Sequence, residues 1–538
     1  MPALPILRMY GRFVVGLPAF LRRGRITVDE AKASVRRDLA ARNTNFLTLV
    51  RRGIFDNPRS PYLPLLKLAG CELGDIESAV RSKGLETTLE DLRRAGVYFT
   101  FEEYKGRRPV VRGGLTINVG EHDFDNPLTR KALEGRTSGS TGASTRVSTD
   151  LDDIEAQLPI LMLVRWGHGL LGIPSALWKG APPDPVGLGV YLRAARWRGQ
   201  PVRWFTPVTS EMHRPALRFR LAMEYVLLMS RLCGVPCPRP EPLPRAEAGV
   251  LARWAAEATR AHGGCEIVCT VSLAVRICTA AREAGIDLSG TAFYGGGEPF
   301  TEAKNAAITG VGARFVSLYI SEDAGPIAIQ CGTPREVGDH HLLDHGITLI
   351  QHPREVLDSG VEVDAFYLTS LRPLASKLLL NVESDDYGIV ERRTCGCPFG
   401  ELGFDRHVRR IRSFGKLTGE GVTLVGTEMV RILEEVLPGR FAGSPQDFQL
   451  VEEEDEATGF TRLTLLIHPR LEIARDEDVI ETLLGALAES SISADLARSF
   501  WQQADTFRIR RDEPMWTAPG KMPSILRAGM CARGSRES

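Results

Sequence analysis

Between Glu266 and Leu318 the hydrophobic period of the sequence switches back and forth, and this alternation constrains the fold more than any other feature. Glu266-Ile267-Val268-Cys269-Thr270 reads as a strand, Leu273 to Ala284 as a helix and Gly290 to Tyr294 as a strand. Thr301 to Ile308 reads as a short helix and Arg314 to Leu318 as a further strand. Strands joined by helices at this spacing lie parallel, because a helix returns the chain to the end of the sheet it left. Ligands of such sheets bind beyond the carboxyl ends of the strands.

The flanks read differently. Residues up to about 110 are mostly helical: Asp29 to Val50 has helical spacing, and so does Asp75 to Ala95, with a break expected at Gly84. Turn signals at Asn57-Pro58 and Ser60-Pro61 separate the two stretches. A further helix is expected from about Asp150 to Leu171. After Ser413 a hairpin from Phe448 to His468, turning at Ala457-Thr458-Gly459, precedes a helix from Asp476 to Ala488. The chain of 538 residues is too long for one core. We expect an α/β protein with a helical region at 1–110 and a sheet-bearing core at 111–412, which together form a large domain. A small α+β domain follows at 413–538.

Composition removes several classes. Zero formal net charge argues against a dedicated nucleic-acid binder. No stretch reaches the roughly 18 uninterrupted apolar residues of a membrane span. The apolar run Phe13 to Leu21 is short, contains Pro18 and precedes Arg22 and Arg23, the wrong order of charges for a signal peptide. Ten cysteines in so long a chain do not make a secreted disulfide framework, so a cytoplasmic, reducing setting is expected.

Small residues cluster in Thr137-Ser138-Gly139-Ser140-Thr141-Gly142, ahead of the helix expected near Asp150. Such a loop exposes N–H groups and hydroxyls to a phosphate without bulky side chains in the way. It is not a Walker A loop, because no Lys-Ser/Thr follows at the required spacing. Gly295-Gly296-Gly297-Glu298-Pro299 stands where a strand gives way to a helix, and three glycines there either let a flat or charged ligand approach the main chain closely or make a tight β–α turn. Ser321-Glu322-Asp323-Ala324-Gly325-Pro326 follows the next strand, where a hydroxyl beside a carboxylate suits a phosphate contact and a Mg²⁺ ligand, or else a capped polar loop. Asp386 in Asp385-Asp386-Tyr387-Gly388 suits ribose hydroxyls or a plain turn. Arg412 precedes Gly421, and Lys521 closes Thr517-Ala518-Pro519-Gly520-Lys521, a glycine-backed loop able to carry a point charge.

In this order the motifs resemble those of the adenylate-forming (ANL) superfamily, most closely its phenylacetate–coenzyme A ligase-like branch. The resemblance implies a large domain with mixed and parallel sheets and a small, mobile α+β C-terminal domain. It also implies ATP-dependent activation of a carboxylic acid as acyl-adenylate, then transfer to a thiol of coenzyme A or of a carrier protein's pantetheine. Thr137, Ser138, Gly139, Ser140, Thr141 and Gly142 would hold the ATP phosphates, and Gly296, Gly297, Glu298 and Pro299 the adenine. Ser321 would touch a phosphate, Glu322 hold Mg²⁺, Asp386 bind ribose and Arg412 bridge ribose to the hinge. Lys521 would meet the charge growing between carboxylate and α-phosphate. Ser144, Tyr319 and Phe414 depart from the family pattern, so a weakened, nucleotide-binding relative is the alternative, or else an acyl- or amide-forming transferase.

Some members of that branch carry zinc, and the resemblance implies Cys331, His340, Cys395 and Cys397 as its ligands, a closed structural set of three thiolates and an imidazole. His340 and Asp344 also fit the His-x3-Asp spacing of some acyltransferases. No Gly-x-Ser-x-Gly elbow is present, which argues against a hydrolase of the α/β type.

Overall fold

The computed structural model describes residues 3–527 apart from 121, 130–132, 137–145, 150, 183, 185, 198, 200, 208–216, 322, 356–361, 414–415, 420–421, 455–460, 491–506 and 516–523. A twelve-stranded mixed sheet organises most of the chain. One half is parallel and runs through Pro240–Pro242, Arg203–Thr206, Ser175–Trp178, Cys265–Val268, Thr291–Gly296 and Arg314–Ser321. The alternation read from the sequence is thus a parallel sheet, with the helices Val271–Glu283 and Glu302–Thr309 as its crossovers. Every residue of Ser175–Trp178 and Cys265–Val268 is buried, as expected of strands covered on both faces.

At Ser321 the sheet changes character. The chain turns at once, pairs Ser321 with Gly325 and continues antiparallel through Gly325–Gln330 and His340–Leu342. The order then runs Arg406–Ser413, Val382–Arg392, Glu362–Ser370 and Ile347–Glu355. Gly325 takes φ +73°, which this tight reversal requires and which glycine adopts without a Cβ penalty.

Helices cover both halves. Thr27 and Glu30 form a reciprocal capping box at the start of Val28–Ala40, whose Ala31 and Val35 are buried in one core with Leu158 and Leu161 of the helix Leu151–Gly167. The expected break at Gly84 is real. This residue has φ +85° and separates Leu73–Lys83 from Leu85–Arg94, which pack Ile76, Val80, Leu85 and Leu89 into a second core with the antiparallel strands. The apolar run around Phe13 is part of a longer helix, Ala3–Arg22, that buries Phe13, Leu17 and Phe20. Among the described residues no helix is long and apolar enough to cross a membrane.

A smaller α+β unit follows. Phe448–Glu454 and Thr461–Ile467 pair as the expected hairpin, Phe448 opposite Ile467, while its turn at 457–459 lies outside the described residues. Phe507–Arg511 and Ile525–Arg527 join as parallel outer strands. Leu450, Leu463 and Leu465 form a separate core with Val479, Leu483 and Leu487 of the helix Asp476–Ser490.

Candidate active site and metal centre

The carboxyl ends of the parallel strands carry the motif residues, and local packing explains their types. A Cβ on Gly295 would lie 1.9 Å from the carbonyl oxygen of Cys269, and one on Gly296 2.1 Å from that of Leu318. These two glycines are therefore demanded by neighbouring strands, whatever else they touch. Gly297 differs: its φ is +94° and no heavy atom lies within 4 Å of where a Cβ would stand, so its backbone faces open space.

Glu298 has a role the sequence did not disclose. Its Oε2 accepts from the Ser272 backbone N–H at 2.8 Å and from the Ser272 hydroxyl at 2.6 Å. It thereby satisfies the N-terminus of Val271–Glu283, while Thr270, the N-cap by position, makes no side-chain cap bond. Oε1 of Glu298 is buried without a hydrogen-bond partner. Glu298→Ala is expected to cost about 1 kcal/mol of stability, the usual loss on removing a cap. Glu298→Gln, which keeps an acceptor, should cost less; urea unfolding followed by circular dichroism measures both.

The neighbouring strand supplies a second group. Tyr319, on Arg314–Ser321, donates its hydroxyl to Asp386 Oδ2 at 2.7 Å, and Ser413 Oγ meets Asp386 Oδ1 at 2.5 Å. Burial pushes the Tyr319 phenol well above its ordinary range, and Asp386 adds to it, so the phenol stays a donor. Arg412 lies opposite Tyr387 in strand register, exposed, with Nη1 on the Ile411 carbonyl. The structure thus brings Asp386 and Arg412 onto adjacent strands beside Tyr319. Ser321 Oγ accepts from the Ala324 N–H at 3.0 Å. Asp323 pairs with Lys105 Nζ at 2.8 Å. Burial alone would raise the Asp323 carboxyl, but the Lys105 ammonium overrides this and holds it below the usual range. The loop Thr137 to Gly142, Ser144, Glu322, Phe414 and Lys521 lie outside the described residues.

A thiol–imidazole cluster lies where three antiparallel strands meet. Cys331 follows Gly325–Gln330, His341 sits on His340–Leu342, Cys395 and Cys397 occupy the loop after Val382–Arg392, and His407 opens Arg406–Ser413. The register sets His341 directly opposite His407. Donor atoms of Cys331, His341, Cys395 and His407 all lie within 4.8 Å of one another. Cys397 joins them, its Sγ 3.9 Å from that of Cys331 and 3.1 Å from His341 Nε2, while Cys395 Sγ is 3.5 Å from the same nitrogen.

A tetrahedral zinc with Zn–S of about 2.3 Å and Zn–N of about 2.0 Å needs edges of about 3.8 Å between sulfurs and about 3.5 Å between sulfur and nitrogen. The residues fit. The outer contacts fit as well: His341 Nδ1 faces the Phe404 carbonyl at 2.8 Å, and His407 Nδ1 faces Asp339 Oδ1 at 2.7 Å, leaving His407 Nε2 buried and unpartnered. The Cys331 proton shared with Cys397 pulls the Cys397 thiol far down, helped by His341, and pushes Cys331 up.

His340 is not among these groups, contrary to the expected ligand set. Its Nδ1 faces the Gly338 carbonyl at 2.6 Å and its Nε2 faces Ser317 Oγ at 2.7 Å. Adjacent strand residues point to opposite faces, so only one of the two histidines can meet the sulfurs. Nor do His340 and Asp344 make an acyltransferase pair. Burial lowers His340 to about 4, and Asp344 is taken by Arg406 at 2.9 Å and Arg42 at 3.3 Å.

This combination of a large mixed sheet and a small α+β unit is a fold found among solved structures. A 2-hydroxyisobutyryl-CoA ligase solved with 2-HIB-AMP and CoA shares it, with a TM-score of 0.53 and 14% identity over 96% of this chain and 90% of that one. An amide bond synthetase, McbA from Marinactinospora thermotolerans, aligns over 94% of this chain and 98% of its own at 14% identity and a TM-score of 0.42. No protein-family model and no curated protein matches the sequence.

Proposed function

We propose that the protein is an AMP-forming acid–thiol ligase, similar to the phenylacetate–coenzyme A ligase-like branch. One observation carries this reading: Gly297, Glu298, Ser321, Tyr319 and Asp386 gather at one edge of the sheet, on a fold shared with a ligase that holds 2-HIB-AMP and CoA. The Thr137 to Gly142 loop cradles the ATP phosphates, Gly296 to Pro299 line the adenine, and Asp386 and Arg412 take the ribose. Glu322 is the proposed Mg²⁺ ligand, and four of the five groups Cys331, His341, Cys395, Cys397 and His407 would hold a structural zinc.

Attack of a carboxylate oxygen on the α-phosphorus expels pyrophosphate, a step that needs alignment and charge neutralisation more than a protein nucleophile. The mixed anhydride then passes its acyl group to the thiol of coenzyme A or of a carrier protein, releasing AMP. Residues 413–538 form the small domain that swings between the two steps, in a cytoplasmic enzyme acting on a small-molecule acid.

One feature favours a second reading, a nucleotide-binding relative with reduced turnover. Tyr319 stands where the family pattern has glycine, and its hydroxyl occupies an Asp386 oxygen that ribose would use. Carboxylate-dependent exchange of labelled pyrophosphate into ATP separates the two. The ligase shows exchange with at least one acid of a broad panel, and a binding protein shows none with any.

A further inference from the structure

The helix Leu217–Leu232 carries apolar residues on two faces, and the fold uses only one of them. Val226 and Ser230 are buried, and Met223 and Met229 pack on the core that holds Phe13, Leu17 and Phe20. At about 100° per residue, Leu217, Leu221, Tyr225, Leu228 and Leu232 fall within an arc of about 80°, turned away from Val226. The four leucines are 65%, 60%, 53% and 64% exposed. Tyr225 joins this stripe to the helix Ala3–Arg22, its hydroxyl donating to the Val14 carbonyl at 2.5 Å. Val14 and Val15 are 43% and 78% exposed there. Among the described residues every other exposed large apolar side chain stands alone on its strand, helix or loop, so this is where such groups collect.

The charge around this face is one-sided. The whole chain has as many acidic as basic residues, yet residues 1–25 hold five arginines and no acidic residue. Residues 217–239 hold four arginines and a single acid, Glu224, while the stretch 208–216 adds Glu211 and Arg214, which cancel. Glu224 is paired with Arg239 at 2.6 Å and also faces Arg220, and Arg23 is paired with Glu155 at 3.3 Å. Arg12, Arg22, Arg25, Arg218 and Arg231 are exposed and make no ion pair among the described residues. By helical position Arg218 and Arg231 border the leucine stripe on opposite sides.

An apolar stripe bordered by unpaired guanidinium groups complements a partner that is apolar within and anionic at its surface. A bilayer with acidic headgroups has that layering: leucines sink below the headgroups while arginines stay at the phosphates. A second copy of the chain complements it poorly, because a two-fold contact sets arginines against arginines. We infer that the exposed faces of Ala3–Arg22 and Leu217–Leu232 dock the protein on an anionic lipid bilayer. The docking is peripheral, and the inference does not depend on the ligase reading.

The test is co-sedimentation of the full chain with vesicles of phosphatidylcholine, alone or mixed equally with phosphatidylglycerol. The mixed vesicles should bind at least about tenfold more tightly, the scale set by a pair of arginines at an acidic surface, and added salt should weaken that binding. Leu221→Ser/Leu228→Ser should cut binding to the mixed vesicles at least tenfold, and Arg218→Gln/Arg231→Gln should cut the preference for phosphatidylglycerol at least threefold. Circular dichroism checks that the variants fold; should the leucine pair fail to, Val15→Glu on the other helix gives the same reading. Failure to bind the mixed vesicles overturns the inference, and so does equal binding to both lipids or binding that the leucine and valine variants leave intact. Sedimentation velocity without lipid covers the second copy: a dimer lost in Leu221→Ser/Leu228→Ser overturns the inference in its favour. Binding to polyglutamate as tight as to the mixed vesicles overturns it in favour of an acidic protein.

Discussion

Lys521→Ala is expected to lower pyrophosphate exchange by about a hundredfold to a thousandfold, the loss usual when one preorganised donor to developing charge is removed. The adenylation step brings a carboxylate up to an α-phosphate, so two anions must approach before any bond forms. A compact ammonium delivered between them favours the transition state over the separate reactants, and the loss should therefore fall on kcat more than on the KM of ATP. Lys521 lies outside the described residues, but it precedes Ile525–Arg527, which pairs with Phe448–Glu454 in the small sheet. The proposal thus makes the small unit the carrier of this charge. Lys521→Arg should recover only part of the rate, because a planar fork does not reproduce a point charge. Thiol transfer from pre-formed acyl-adenylate should fall far less than exchange, since in the proposed cycle that step follows withdrawal of the lysine. Equal losses in both half-reactions would sink the assignment.

The part of the fold that was legible in sequence is the part built from local period. The strands Cys265–Val268, Thr291–Gly296 and Arg314–Ser321 and their crossover helices each declare themselves within a dozen residues, and so do the break at Gly84 and the Phe448–Ile467 hairpin. The antiparallel half of the sheet was not legible, because its pairings are long-range: Arg406–Ser413 lies between His340–Leu342 and Val382–Arg392. That gap has chemical consequences. Spacing alone places His340 and His341 equally near Cys331, and only strand register sets His341 opposite His407. His407 itself carried no sequence signal, since its cluster mates are far away in the chain.

Glycines show the opposite failure. Three in a row at 295–297 read as room for a ligand, yet Gly295 and Gly296 are fixed by the carbonyls of Cys269 and Leu318, and only Gly297 faces open space. Glu298 likewise reads as a ligand-facing motif residue, while one of its oxygens caps the neighbouring helix. Motif residues at a sheet edge therefore serve the scaffold, whatever else they touch.

The purified protein should contain about one zinc per chain by plasma mass spectrometry, and the double variant Cys395→Ser/Cys397→Ser should contain none. The adjacent pair His340→Ala and His341→Ala is the sharper comparison. His341 Nε2 lies 3.1 Å from Cys397 Sγ, whereas His340 is turned to Ser317 and Gly338, so metal should be lost only from His341→Ala. Structural zinc in small finger peptides is worth on the order of 10 kcal/mol or more, because those chains are unfolded without it. Here the donors are already held by sheet strands, so the expected loss is smaller, about 3–5 kcal/mol, the scale on which leaving buried charged or polar groups unmatched destabilises a core. Loss of the metal should also reach the proposed nucleotide site. Cys395 and Cys397 sit in the loop between Val382–Arg392, which carries Asp386, and Arg406–Ser413, which carries Arg412. Loosening that loop lets the two strands shift against each other, so the metal-free variant should show a raised KM for ATP at temperatures where it remains folded. Zinc retained in the double variant, or lost equally from both histidine variants, would refute the placement.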